Sequence, residues 1–167
     1  DVMEIQDVEY LELVKNILSN EEFDRLKEIE HHGTTRFCHS LKVSYFSYQV
    51  SKVLHLDYQE VARAGLLHDF FLSDPDRTKK ERFLSTFTHP KYAVLNACKY
   101  FDLTDKEKNI IESHMFPLYI SLPKYAESWI VSSVDKVVGT YEFCQKFKRQ
   151  ISYATNFFFI VLLNTIR

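Results

Sequence analysis

Apolar residues recur along most of the chain at intervals of three and four, the period of an α-helix, whereas the alternation typical of β-strands is nearly absent. This pattern predicts seven helices, with one or two more as far as residue 166; their approximate ranges are 2–18, 20–30, 37–54, 57–69, 88–101, 104–115 and 121–135. Gly33 should stop the second helix, and Gly139 should bend or break the chain after the seventh. The predicted fold class is all-α.

Capping signals support several of these helix starts. Asn20 should cap the second helix, and capping-box patterns, an Asp or Thr followed three residues later by Glu, precede the fourth and sixth. Thr88 with Pro90 and Ser121 with Pro123 predict the starts of the fifth and seventh helices. The polar stretch between the fourth and fifth helices (72–86) predicts a surface loop, with a lid over a site as the alternative.

Length and composition predict one globular domain over residues 1–167. The net charge of -2 gives no reason to expect binding to nucleic acid or to a membrane. Three scattered cysteines and an acidic start without signal-peptide features favour a cytoplasmic location. The apolar run FFFIVLL is too short to span a bilayer, so it predicts a buried or subunit-facing helix, with membrane contact as the alternative, and is compatible with a homodimer.

Ionisable residues stand on the apolar faces of five predicted helices. His39, for example, precedes Val43, Phe46 and Val50 at helical spacing and should therefore point inward. The same argument applies to His68, His89, His114 and Asp135, and Asp69 adjoins His68.

A single inward histidine is usually a core residue with satisfied hydrogen bonds, but the whole set is harder to explain in that way. Each buried carboxylate would need its own cation or donors, whereas one shared metal centre would satisfy all of the groups together. Imidazole and carboxylate ligands suit Fe, Mn, Zn or Ni, and the lack of cysteine in the set argues against a thiolate site.

The order His39, His68-Asp69 and Asp135 resembles the HD superfamily of metal-dependent phosphohydrolases. The motifs that carry the resemblance are TTRFCHSLKVSYFS, ARAGLLHDFF and SSVDKVVGTYEF, and the likeness extends from about Gly33 to Phe143. It implies an all-α HD domain with a buried metal centre and a core of about 33–143, on which terminal helices (2–30 and 140–166) pack.

His89 and His114 are similar to the additional ligands of the dinuclear HD subset. That resemblance implies one ion on His39, His68, Asp69 and Asp135, and a second on His89 and His114 with Asp69 as the bridge. The two ions in this subset are commonly iron, with Mn, Ni and Zn as alternatives. The GYP signature of cyclic-di-GMP hydrolases is missing from FFLSDPDRT, so the chain looks more like small bacterial HD hydrolases, including symmetrical dinucleoside tetraphosphate hydrolases.

The implied reaction is hydrolysis of a nucleotide or another small phosphate ester or anhydride by metal-activated hydroxide. Two divalent ions, two aspartates and one hydroxide leave a net positive centre, which attracts phosphate. Asp69, Lys136 and Arg36 are the predicted catalytic residues, and Arg36, Lys136 and His32 the predicted substrate contacts; the alternatives are a surface arginine, a surface lysine and a loop histidine. Two other functions stay open: an HD-fold mixed-valent di-iron oxygenase and a non-catalytic metal-binding regulatory module.

Overall fold

The structure is a computed structural model that describes residues 4–31, 33–72 and 79–165. It confirms the all-α class: the helices are α1 (Val8–Leu18), α2 (Glu21–Asp24), α3 (Arg36–Val53), α4 (Tyr58–Leu67), α5 (Lys79–Tyr100), α6 (Asp105–Ser113) and α7 (Ala126–Thr165). A 3-10 turn (Arg25–Glu28) leads from α2 into a two-stranded antiparallel hairpin, β1 (Glu30–His31) and β2 (Thr34–Thr35).

Helix α4 is the central helix of the core. It packs against α1, α3 and α6, and most of its residues are buried: Val61, Ala62, Ala64, Gly65, Leu66 and Leu67. Because neighbours cover it on several sides, the residues that directly follow its C-terminal end, His68 and Asp69, are held in the interior.

The predicted apolar stripe on α3 is wrong, although His39 does point inward. Phe46 and Val50 are both 41% exposed. The buried face of α3 instead carries small polar residues beside His39 and Val43, namely Ser40, Ser44, Ser47 and Ser51. Serine is small enough for a close helix contact, and Ser44 Oγ donates a hydrogen bond to the Ala62 carbonyl of α4 at 2.6 Å.

Gly65 permits the close approach of α4 to α3. A Cβ atom at this position would lie 3.0 Å from the Cα atom of Ser44, so one of the two backbones would have to shift. We expect Gly65→Ala to lower the free energy of unfolding by about 1–3 kcal/mol, as overpacking of a core does. Urea denaturation measures this change. Gly139→Ala in α7 controls for helix propensity, and an unfolding free energy at or above the wild-type value would contradict the close packing.

The first two helices are shorter than predicted. α1 begins only after Asp7, because the Asp7 carboxylate caps the helix by accepting a hydrogen bond from the Tyr10 N–H at 3.0 Å. Asn20 caps α2 as predicted, but the chain then tightens into the 3-10 turn and the hairpin instead of continuing as an α-helix to residue 30. Gly33 lies in the hairpin turn with a φ of 89°, a conformation that glycine adopts without strain.

One of the two predicted capping boxes is confirmed. The Thr104 N–H donates to Glu107 Oε2 at 2.9 Å, and the Glu107 N–H donates to Thr104 Oγ1 at 3.1 Å. At α4 only half of the box forms, because Asp57 accepts from the Glu60 N–H while the Asp57 N–H donates to Glu127 of α7 at 3.2 Å. Glu127, which is distant in sequence, therefore takes the place of Glu60 as the acceptor for the Asp57 N–H.

The start of α5 differs from the prediction. The helix begins at Lys79, so Pro90 lies inside it rather than in its first turn, and residues 79–86 are helical rather than part of a loop. Proline has no N–H to donate, yet the surrounding turns maintain the helix. Residues 73–78 of the predicted loop lie outside the described residues.

α7 is one continuous helix of 40 residues, and this corrects two predictions. It begins at Ala126 rather than near Ser121, and it passes through Gly139 without a break, because one glycine in a long helix costs only about 1 kcal/mol relative to alanine. None of the helices in the described part of the chain is long and apolar enough to cross a membrane.

Candidate metal centre

Six ionisable side chains from five helical segments meet at the inner end of α4. They are His39 of α3, His68 and Asp69 after α4, His89 of α5, His114 after α6, and Asp135 of α7. All are buried except Asp135, whose side chain is 14% exposed. The structure therefore brings together every residue predicted as a metal ligand.

The first group of donor atoms surrounds Asp135. Its Oδ1 atom lies 3.0 Å from His39 Nε2 and 3.5 Å from His68 Nε2. Three residues from α3, α4 and α7 thus offer two imidazole nitrogens and one carboxylate oxygen within 4.8 Å of one another.

The second group lies on the other side of Asp69. The Asp69 Oδ1 atom is 3.2 Å from His89 Nε2 and 3.7 Å from His114 Nε2, and these two nitrogens are 3.0 Å apart. The Oδ2 atom of the same carboxylate is 3.9 Å from His68 Nε2 in the first group. One oxygen of Asp69 therefore faces each group, which is the placement that a bridging ligand needs.

α4 and α6 end in the same way, each with a histidine whose orientation is set by its own helix. His68 Nδ1 donates to the Gly65 carbonyl, and His114 Nδ1 donates to the Ile111 carbonyl, both at 2.7 Å. A carbonyl can only accept, so the proton is on Nδ1 and the Nε2 lone pair faces the centre. His68 Nε2 is buried and makes no hydrogen bond within the described chain.

These features fit divalent transition-metal ions. Two ligands that share one ion at about 2.1 Å are themselves separated by about 3.0–3.4 Å. Five donor pairs in the two groups are 3.0–3.7 Å apart, which is close to this separation. A metal ion would also satisfy the Nε2 atom of His68. The donor set of imidazole nitrogen and carboxylate oxygen suits iron, manganese, nickel or zinc.

Burial and neighbouring charges set the protonation of the metal-free centre. Burial opposes a charge on His39, but hydrogen bonds to Asp135 and Glu142 outweigh burial and raise the pKa of His39 to about 10. Burial and the adjacent His68 lower the pKa of His114 to about 3. Burial opposes the ionisation of Asp135, but the hydrogen bond from His39 outweighs burial and lowers the pKa of Asp135. At neutral pH His39 is therefore cationic and His114 neutral.

Metal binding at neutral pH should therefore release a proton. His39 must give up its Nε2 proton to become a ligand, so affinity should rise as the pH rises from 7 towards the metal-free pKa of about 10. Calorimetric titration in two buffers of different ionisation enthalpy at pH 7.5 should detect about one proton released from His39. A binding enthalpy that is the same in both buffers would contradict a protonated His39.

Arg36, a predicted catalytic and substrate-binding residue, lies buried at the edge of the centre. Its Nη1 atom donates to the Phe71 carbonyl at 2.6 Å, its guanidinium carbon is 3.9 Å from the centroid of the Phe71 ring, and its Nε atom is 3.9 Å from Asp69 Oδ2. Burial lowers the pKa of Arg36, and the charge of Asp69 opposes this. The position places a cation beside the carboxylate that faces both groups.

Lys136, the other predicted cation, bonds to the end of α6. Its Nζ atom donates to the His114 carbonyl at 2.8 Å and to Ser132 Oγ at 2.7 Å. Burial lowers the pKa of Lys136, and the charge of Asp135 opposes this. The third predicted substrate contact, His32, lies outside the described residues.

Sequence reasoning missed Glu142 of α7. This carboxylate is buried, with Oε2 2.8 Å from His39 Nδ1 and Oε1 2.8 Å from Lys42 Nζ. Burial opposes its ionisation, but these two donors lower the pKa of Glu142. Glu142 follows Asp135 by seven residues, two helical turns on the same face, and that spacing is the signal that was available.

Two cavities adjoin the centre. One of about 560 Å³ is lined by His89 itself, together with Phe71, Tyr92, Asn96 and Lys99 among others. A larger one of about 920 Å³ lies between α3 and α7 and reaches Lys42 and Glu142, but its lining within the described chain includes none of the six candidate ligands. The smaller cavity is therefore the better candidate for a substrate path.

Comparison with known protein families is consistent with this geometry. A family model described as HD domain matches residues 36–140, which is more than half of the chain and includes all six candidate ligands. Searches of curated proteins and of solved structures found no significant match. On the strength of the family match and of the converging histidines and aspartates, the chain belongs to the HD domain family.

Proposed function

We propose that this protein is a metal-dependent phosphohydrolase acting on a nucleotide or another small phosphate ester or anhydride. HD domains are commonly metal-dependent phosphohydrolases, and membership of the family implies binding of divalent metal. The observation that carries the dinuclear form of the proposal is the position of Asp69, whose two carboxylate oxygens face two different sets of imidazole nitrogens.

In this proposal the six side chains hold two ions. His39, His68 and Asp135 hold the first, His89 and His114 the second, and Asp69 contacts both. When bound, the ions would stabilise negative charge on phosphoryl oxygens and lower the pKa of the attacking water. Iron is the proposed metal, with manganese, nickel and zinc as alternatives of similar ligand preference.

The chain's own charges favour an anionic substrate at this centre. Asp69 and Asp135 together carry two negative charges, fewer than the positive charge of two divalent ions, so phosphate would be attracted. We propose that Arg36 holds Asp69 in position and adds positive charge at the edge of the site. Lys136 would contact phosphate by exchanging its bond to Ser132 for one to a phosphoryl oxygen.

The smaller cavity supports a nucleotide as substrate. It opens on His89, and its walls include the half-exposed ring of Tyr92 and the ammonium group of Lys99. An aromatic ring fits a nucleobase by stacking, and a lysine fits a phosphate by charge.

The test is metal analysis of the purified protein, followed by phosphate-release assays on mononucleotides, dinucleoside polyphosphates and an aryl phosphate. We expect turnover in the metal-loaded protein under both anaerobic and aerobic conditions. Lys99→Ala should raise the KM for nucleotides, whereas Lys124→Ala, outside the residues that line this cavity, serves as the control. If two metals are bound but no substrate turns over, the hydrolase proposal fails; oxygen consumption that requires iron would then indicate an oxygenase.

A further inference from the structure

We infer that Glu142 is a positioning residue that orients the His39 imidazole for metal binding, and that Lys42 in turn fixes Glu142. The three side chains form a chain of contacts, Lys42–Glu142–His39, that runs from α3 to α7 and back to α3. The inference depends on the proposed function only in requiring that the centre bind a divalent ion, and not on the reaction.

The contacts of the Glu142 carboxylate leave it little freedom. Its Oε2 atom accepts from His39 Nδ1 and its Oε1 atom accepts from Lys42 Nζ, each at 2.8 Å. The side chains of His39 and Glu142 are 1% and 4% exposed, and that of Lys42 is 22% exposed. Because each oxygen has its own buried or largely buried donor, the carboxylate cannot rotate without losing a bond.

His39 needs such a partner because no backbone carbonyl of its own helix is free to accept from Nδ1, as one is for His68 and His114. Those two follow the last residue of a helix, where backbone carbonyls of the final turn are free to accept from Nδ1. His39 lies in the first turn of α3, whose carbonyls accept the helical N–H bonds of later residues. A carboxylate from another helix therefore provides the acceptor.

Glu142 should also make His39 a stronger ligand than His68. A carboxylate is a stronger acceptor than a carbonyl, so the imidazole that donates to it is more electron-rich at Nε2. Removing the negative charge at Glu142 while keeping its shape should weaken the ion held by His39, His68 and Asp135. The ion held by His89 and His114 should be much less affected, because Glu142 does not contact those residues.

The experiment is a Co²⁺ titration of the full chain followed by visible absorption, which reports both affinity and ligand geometry. We expect Glu142→Gln to weaken one of the two Co²⁺ ions by about 10–100-fold, the usual effect of losing the partner of a metal-bound histidine, and to shift its absorption bands. Lys42→Met should give a smaller loss in the same ion, because Glu142 would keep its bond to His39.

Glu127→Gln is the matched control. Glu127 is a buried carboxylate on the same helix and also has a lysine partner, Lys106, but its contacts lie at the start of α4, away from the centre. We expect no change in Co²⁺ affinity. Unchanged affinity in Glu142→Gln, or an equal loss in Glu127→Gln, would overturn the inference.

Two further measurements separate this inference from folding defects and from the proposed function. Thermal unfolding shows whether each variant folds. If Glu142→Gln does not fold, the Lys42→Met variant provides the test. Weaker Co²⁺ binding by Lys42→Met supports the inference, and binding equal to that of the wild type overturns it. A wild-type protein that binds Co²⁺ with the predicted sensitivity to Glu142 but hydrolyses no phosphate would overturn the proposed function and support this inference.

Discussion

Asp69→Ala should remove both metal ions from the centre, because this carboxylate is the one side chain among the six whose two oxygens face both groups of nitrogens. Each ion would lose an anionic ligand, and less negative charge would remain to offset the repulsion between two divalent ions. Elemental analysis after dialysis should find two ions per wild-type chain and none in Asp69→Ala. Phosphate release should fall to the background rate.

The control for this variant is Asp57→Ala at the opposite end of α4. Asp57 caps the helix by accepting from the Glu60 N–H, so its loss should cost about 1 kcal/mol of stability and leave the metal content at two ions. Two fully occupied ions in Asp69→Ala would refute the bridging role. One retained ion would show that Asp69 serves only one of the two groups.

His89→Ala should weaken binding of the second ion and leave the first ion bound. It removes one of the two imidazole nitrogens of the second group but leaves His39, His68 and Asp135 in place. Loss of a direct ligand should lower the affinity for the second ion by more than about 100-fold, the upper range for loss of an indirect partner. The first ion should stay bound, and phosphate release should fall because one ion cannot replace the pair.

Metal titration with elemental analysis measures this selectivity. His55→Asn is the control, since His55 is exposed and its φ of 56° is a conformation that asparagine accepts. If His89→Ala loses both ions to the same extent, the two groups do not bind independently, and the assignment of separate ligand sets is wrong.

The inward position of the candidate ligands could be predicted because it depends on local periodicity. Ala93 and Ala97 follow His89 at helical spacing and are buried, and Ile110 and Ile111 stand one turn before His114 and are buried as well. A residue in phase with such neighbours points the same way whatever the rest of the fold does. The same reasoning failed on α3, where four serines take buried positions and Phe46 is partly exposed. At one of them, Ser44, the close approach of Gly65 in α4 leaves room only for a small side chain.

The partner of His39 could not be predicted in the same way. Glu142 is 103 residues away in sequence, and the choice between it and its neighbours depends on which turn of α7 faces α3. The predicted break at Gly139 would have separated Glu142 from Asp135, yet α7 continues through that glycine and keeps both carboxylates on one face.

The sequence by itself determined the helical class, the caps of α2 and α6, and the inward direction of His68, His89, His114 and Asp135. These features depend on hydrophobic period and on side chains that bond the nearby backbone, which are local properties. Only the tertiary structure decided which nitrogen of each histidine faces the centre, how the oxygens of Asp69 are divided between two groups, and which carboxylate holds His39. These depend on distances between helices that are far apart in sequence, and packing of the whole core sets those distances.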